Sequence, residues 1–386
     1  MNNTRIEHSK GRCRLCGENS IVDIMELKEM PKSAQFFPSK NEFDLDIPIT
    51  LNICQCSYCG LVQLDGSPVE YYKDVITATS FSEETKCFRL KELDELIQLF
   101  QLTGRRVIEI GCGTGAMLDI LEEAGLYAVG LEHRHSSVLE GKSFGRKIVE
   151  GFLDEYFIMS ADPFEMFVIY NFLEHIPDPN QLIRSIYQIT TSDSVGYVTV
   201  PNYKHLLDTQ CCYEFVADHL SYFTKSTLQY AFYKNGFDIL DCYEINNNND
   251  IVVKVQKRCI KSISGMFPGA VSLKKTLHEI IKKYSYQNRS VAVWGAGHRT
   301  LSLLALADIK DISYVVDSAK FKQDKYTPIL HHLVVSPSYL RENPVDLVIV
   351  MVPGIYPDEV LKTIKNMGIK SEVAILKGNE ILFEES

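Results

Sequence analysis

The sequence predicts an α/β protein: two open, mostly parallel sheets with helices on both faces, preceded by a small cysteine-rich module. Three observations carry this. Short apolar strands alternate with helical patterns from Arg105 to about Lys257, and again after Cys259. Two glycine-rich turns, at Gly111–Gly115 and Gly295–Gly297, each follow an apolar strand and open a helix. Two Cys-x-x-Cys-Gly knuckles stand near the N-terminus. At 386 residues the chain is too long for one ordinary core, and the expected parts are 1–68, 69–258 and 259–386.

The bulk properties exclude several classes. A net charge of −10 without any Lys/Arg block argues against a nucleic-acid surface. No apolar run approaches a membrane span, and D-L-V-I-V-M-V-P reads as a buried strand. The first residues, M-N-N-T-R-I-E-H-S-K, lack the apolar core of a signal peptide. Eleven cysteines, an odd number spread through strands and helices, fit a reduced cytoplasm rather than a disulfide framework.

Cys13-x-x-Cys16-Gly and Cys56-x-x-Cys59-Gly are matching knuckles. Each brings two thiolates to one metal, and the glycine frees the turn. Four sulfurs at this spacing suit tetrahedral Zn²⁺, and a closed four-sulfur shell is structural. Cys54 competes with Cys56, but Cys56 restores the repeat spacing. Gly66-Ser67-Pro68 separates the module from the next segment. The run C-F-R-L-K-E-L-D-E-L-I-Q-L-F then repeats apolar positions at helical spacing. Strands are expected at Val107–Ile110, Ala128–Leu131, Met166–Tyr170, Val195–Val200, Phe237–Tyr243 and Ile251–Val255. In the last part S-L-K-K-T-L-H-E-I-I-K-K-Y is a helix, and strands lie near Val291, at Ile312–Val316 and at Leu347–Met351.

The segment V-I-E-I-G-C-G-T-G-A-M-L holds the most information. Gly111, Gly113 and Gly115 let the backbone turn sharply and approach a ligand. Glu132 ends the next apolar run about 20 residues on, where an open α/β sheet sets a carboxylate on a ribose. Dinucleotide folds share this register. The full pattern Glu109-x-Gly111-x-Gly113-x-Gly115, however, resembles the first motif of class I S-adenosyl-L-methionine-dependent methyltransferases. That resemblance implies that Glu109 and the glycine loop hold the methionine end of the cofactor. Glu132 then takes the ribose hydroxyls, and Asn171, opening the loop after the fourth strand, joins the cofactor set.

The second turn has Gly295, Gly297 and, at the end of the following strand, Asp317. It reads as half a nucleotide-binding fingerprint, because Thr300 stands where the third glycine belongs. NAD is therefore a weak reading, and close helix packing or a phosphate site remain open. The predicted fold is a class I methyltransferase Rossmann-like domain flanked by a small zinc-binding module and a second Rossmann-like domain.

Two histidines are placed for chemistry. His175 lies in Asn171-Phe-Leu-Glu174-His175-Ile-Pro-Asp178, just past the fourth strand, at the edge where open sheets bind ligands. His219 lies in Asp218-His219-Leu-Ser221-Tyr222-Phe223 after the fifth strand. An imidazole beside a carboxylate suits proton transfer near neutral pH. The order of parts, with C-S-Y-C-G-L-V-Q-L, H-L-S-Y-F-T and V-V-D-S-A-K-F-K-Q-D-K-Y-T-P, resembles the nucleotide-sugar C-methyltransferases of deoxysugar pathways. These methylate a carbon next to the ketone of a 4-keto-hexose, usually C3, carried on a nucleoside diphosphate. The resemblance implies His219 as base, Asp218 orienting it, and His175 holding the enolate or keto oxygen. Tyr222 is either core or pocket wall.

The chain departs from that family in two places. Val216-Ala-Asp218-His219 stands for the usual Tyr-x-Glu-His, and Asp74–Phe81 keeps hydroxyls, at Thr77, Thr79 and Ser80, but no tyrosine after Tyr72. Tyr213 is the nearby substitute for the lost hydroxyl. The departures leave two alternatives: an O- or N-methyltransferase on a sugar nucleotide or related molecule, or a catalytically inert sugar-nucleotide-binding protein.

Overall fold

The structure, a computed structural model, describes residues 11–33, 37–73, 82–154, 156–157, 159 and 162–384. Thr77, Thr79 and Ser80 lie outside the described residues. The chain divides into two compact units, Met1–Cys259 and Ile260–Ser386.

The first unit contains a seven-stranded sheet. Its order is Phe237–Ile245, Asp250–Lys257, Thr190–Pro201, Phe164–Tyr170, Arg106–Ile110, Tyr127–Glu132 and Ile148–Glu150. Asp250–Lys257 runs antiparallel to both neighbours, and the other pairings are parallel. This is the class I methyltransferase order, and the expected fold class holds. Adjacent strand residues are buried on opposite faces: Val107, Met166 and Val168 enter one core, Ile108, Phe167 and Ile169 the other. The helix Glu83–Leu99 covers the first face with Leu93, Leu96 and Ile97. The reversed strand is fed by a tight hairpin in which Asn246, Asn247 and Asn248 have φ of 51°, 53° and 69°. Asparagine tolerates this left-handed region better than bulkier residues do.

The six expected strands all form, most of them longer at their ends than hydrophobicity alone marks. Ile148–Glu150 joins them as a strand that hydrophobicity does not mark, because three residues leave no period to read.

The same unit carries a four-stranded antiparallel sheet in the order Ile21–Met30, Ile49–Cys56, Val62–Asp65 and Ser221–Tyr222. Its last strand comes from the loop that bears His219. Val62 faces Tyr222 and Gln63 faces Ser221.

The second unit is a seven-stranded sheet in the order Lys325–Tyr326, Leu333–Val335, Val315–Val316, Val291–Trp294, Leu347–Val350, Glu372–Lys377 and Glu380–Phe383. The inner pairings are parallel and both edges are antiparallel. The long helix Met266–Tyr286 buries Leu273, Leu277, Ile281 and Tyr284 at helical spacing. The expected strand Ile312–Val316 shrinks to Val315–Val316. No helix among the described residues is long and apolar enough to cross a membrane.

Candidate active site

The strand Arg106–Ile110 runs into Gly111, Gly113 and Gly115, whose φ values are +73°, +56° and +80°. All three lie in the region that side chains disfavour. A Cβ on Gly111 would sit 2.6 Å from the Phe172 ring, so the close approach also requires glycine. Gly115 then caps the helix Ala116–Glu123.

Two glutamates flank this loop. Glu132 is buried, with Oε2 accepting the Gly113 N–H at 2.9 Å and Oε1 accepting the Arg134 N–H at 2.7 Å. Glu109 is buried, and its Oε2 has no hydrogen-bond partner among the described residues. Burial, then the nearby Glu132, pushes the Glu109 carboxyl up to about 8. A buried acid with an unpartnered oxygen is what an incoming ammonium group needs. A loop with no room for side chains gives the same ligand backbone contact. The ammonium group and ribose hydroxyls of S-adenosylmethionine, which donate, fit the two carboxylates, which accept.

The crevice beside Glu132 is lined by Lys73, Gly111, His133, Phe152 and Phe172 as well. Phe152 meets Tyr72 and His133 edge-on at 5.9 and 6.2 Å, with the Lys73 ammonium 4.5 Å from its ring centre. Sequence reasoning missed Phe152 and Phe172. Both follow strand ends, and only the sheet order brings them together. Asn171, with φ +45°, accepts from Thr199 Oγ1 at 2.7 Å and donates to Asp250 Oδ1 at 3.3 Å. Its neighbour Phe172, rather than Asn171, lines the crevice.

The structure brings His175 and His219 together, with ring centres 4.6 Å apart at 81°. His175 sits in a short 3-10 turn, Leu173–His175, at the carboxyl edge of the sheet. The His219 loop is fastened to that turn: the Leu220 N–H donates to Glu174 O at 2.8 Å, and His175 Nδ1 lies 2.9 Å from Asp218 O. A carbonyl only accepts, so Nδ1 carries the proton and neutral His175 offers a lone pair at Nε2. Neutral His175 cannot donate to an enolate oxygen, and burial lowers its pKa, which disfavours the cation. His219 is half-buried and drawn down to about 3, by burial first and then by His175.

The Asp218 carboxylate is buried and accepts from Tyr71 Oη at 2.7 Å. The contact that Asp218 makes with His175 is through its backbone carbonyl. Tyr71 carries no local signal, because nothing in the sequence links it to a residue 147 positions away. Tyr213 is exposed and bonded to Cys211, remote from the role considered for it. Tyr222 is core: its hydroxyl accepts the Val216 N–H at 3.0 Å and braces the turn before Asp218.

Cys13, Cys16, Cys56 and Cys59 converge, with all four sulfurs within 4.8 Å of one another. The Cys13–Cys59 and Cys16–Cys56 separations are both 3.5 Å. A tetrahedral zinc–thiolate shell has sulfur–sulfur edges of about 3.8 Å, so the donor set fits zinc. The hydrogen bond with Cys59 draws Cys13 down to about 5, while burial pushes Cys16 up to about 11. Cys54 points elsewhere, its thiol bonded to Gln63 O at 3.3 Å.

In the second unit, Asp317 accepts from the Ala296 N–H at 2.7 Å and pairs with Lys322 at 3.0 Å. Its carboxylate closes the glycine turn itself.

A methyltransferase domain family model matches residues 84–241, and a C-methyltransferase C-terminal domain model matches residues 266–373. The C-methyltransferase NovU of Streptomyces niveus is 21% identical over 349 residues, covering 82% of this chain and 83% of that one. The ubiquinone biosynthesis O-methyltransferase of Bordetella avium (strain 197N) is 30% identical over 103 residues, covering 25% of this chain and less than half, 42%, of that one. An S-adenosylmethionine-dependent methyltransferase structure from Clostridium acetobutylicum ATCC 824 aligns with a TM-score of 0.38 at 11% identity, covering 46% of this chain and 93% of that one. One model matches the domain that carries the glycine loop, the other the second unit, and one relative spans both; the chain is an S-adenosylmethionine-dependent methyltransferase, similar to C-methyltransferases along most of its length.

Proposed function

We propose that the chain methylates the carbon next to the ketone of a nucleoside-diphosphate 4-keto-deoxysugar, usually C3, with His219 as the base. The observation that carries the reading is the half-buried His219 imidazole, its ring centre 4.6 Å from that of His175 at the carboxyl edge of the sheet. A base must be unprotonated at working pH, and burial secures this. The cost is basicity. Tyr71 holds the Asp218 carboxylate, which keeps the Asp218 carbonyl, and so His175, in place.

S-adenosylmethionine, when bound, supplies a methyl group on sulfur that a carbanion can take. Glu109 holds its ammonium group, the loop Gly111–Gly115 its methionine backbone, and Glu132 its ribose. Phe152 and Phe172 wall the crevice against water. Zn²⁺ on Cys13, Cys16, Cys56 and Cys59 is structural. It anchors residues 1–68 against residues 69–258, while 259–386 form the sugar-nucleotide part. The eleven free cysteines suit a cytoplasmic setting.

The test is His219→Ala in deuterated water with a 4-keto nucleotide sugar. Exchange of the carbon-bound proton and methyl transfer are both expected to vanish, with cofactor binding kept. Exchange that continues in the variant would remove His219 as base.

A further inference from the structure

We propose that Glu174, His175 and His219 form a second divalent-metal site, for a zinc-class ion, built on the base itself. Each of the three offers a ligand atom, and these atoms lie within 4.8 Å of one another. Two imidazoles and one carboxylate are a donor set that zinc and its neighbours take readily, with positions left open. Two features point to a ligand. Glu174 is 1% exposed and its Oε2 has no hydrogen-bond partner among the described residues, although Asp and Glu are rarely buried unless paired. His175 donates Nδ1–H to the Asp218 carbonyl, which is how metal-bound histidines are commonly fixed with the other nitrogen facing the ion. Ligand atoms about 2.1 Å from a tetrahedral ion stand about 3.4 Å apart. The three groups therefore draw in by roughly an ångström, and His219, less buried than Glu174 or His175, has the freedom to turn.

The consequence is control. A metal on His219 occupies the lone pair that proton removal uses, so occupancy and catalysis exclude each other. This consequence rests on His219 as the base; the binding itself does not.

The experiment is Co²⁺ titration of the full chain after the four-cysteine site has been filled with zinc. Expected is one further equivalent with visible ligand-field bands and without the intense thiolate-to-cobalt band. Glu174→Gln and His219→Ala should each weaken that equivalent by at least about 10-fold, the scale that loss of even an outer partner carries. Glu174→Gln keeps the Leu220 contact, which is to the backbone carbonyl, and should keep methyl transfer while losing sensitivity to Co²⁺. His175→Ala serves as a third ligand test should Glu174→Gln fail to fold. Absence of a further equivalent overturns the proposal, and so does a further equivalent unmoved by all three variants. A further equivalent that the variants abolish but that leaves methyl transfer intact upholds the site and refutes His219 as base.

Discussion

Glu109 gives the sharpest quantitative consequence. Its carboxyl is held at about 8, against an ordinary value of 4.5. At pH 7 about nine in ten molecules of the cofactor-free protein carry that proton, one unit below the midpoint. Pairing with the cofactor's ammonium group requires the carboxylate, so binding releases close to one proton near neutrality. The dissociation constant should fall about tenfold per pH unit between about pH 6 and 8 and flatten above, about 1.4 kcal/mol per unit. Calorimetry of S-adenosylmethionine binding in buffers of different ionisation enthalpy reads the proton directly. Glu109→Gln should abolish both the release and the slope. The sign for the cofactor-free fold is opposite. A raised acid favours the folded state at low pH, so this group's contribution is complete below 4.5 and is lost as pH rises through about 8. Pure buffer-independent heats, with affinity flat from pH 6 to 9, would refute the placement of the ammonium group at Glu109.

Three further outcomes are expected from the geometry. Cys16→Ser, or zinc removal by a chelator, should stop methyl transfer while leaving cofactor affinity within a few fold; Cys54→Ser, whose thiol lies on Gln63, should leave the zinc content of the chain unchanged by elemental analysis. Gly111→Ala puts a Cβ at φ +73° and 2.6 Å from Phe172, costing at least about 1–2 kcal/mol of stability in a denaturant titration, with cofactor affinity down more than about tenfold. Tyr71→Phe removes a hydrogen bond to a buried carboxylate worth about 1.5–3 kcal/mol; kcat should fall with the KM for S-adenosylmethionine unchanged.

The sheet, the glycine loop and the cysteine cluster were legible because each is local in the chain. Strand period, three glycines in one turn and two matched knuckles need no knowledge of the fold. Even the choice of Cys56 over Cys54 came from spacing alone, and Cys54 turns to the carbonyl of Gln63 instead of joining the cluster. What escaped was non-local or backbone-borne. Tyr71 meets Asp218 across the chain, Phe152 and Phe172 meet only through the order of strands, and the strand Ser221–Tyr222 is too short to show a period. The His175 tautomer is set by a main-chain carbonyl, which no side-chain motif records.

That carbonyl also explains how the shortened acid at position 218 is accommodated. The contact that orients His175 comes from the backbone and is the same for aspartate and glutamate; the carboxylate is met instead by Tyr71. What must be fixed, then, is the path of the loop. One side of it is zipped to the turn Leu173–His175, and the other pairs with Val62–Asp65, where Leu64 N–H also donates to Leu220 O at 3.1 Å. That strand comes directly after Cys56 and Cys59, and the first knuckle is moored to the methyltransferase helices by Asn180 on Arg14 and Leu15 carbonyls and by Lys234 on Leu15. The four cysteines thus stand one strand away from His219. The position of His219 is set by two segments more than 100 residues apart in the chain, and this is why loss of the metal should be felt first in catalysis and only later in cofactor binding.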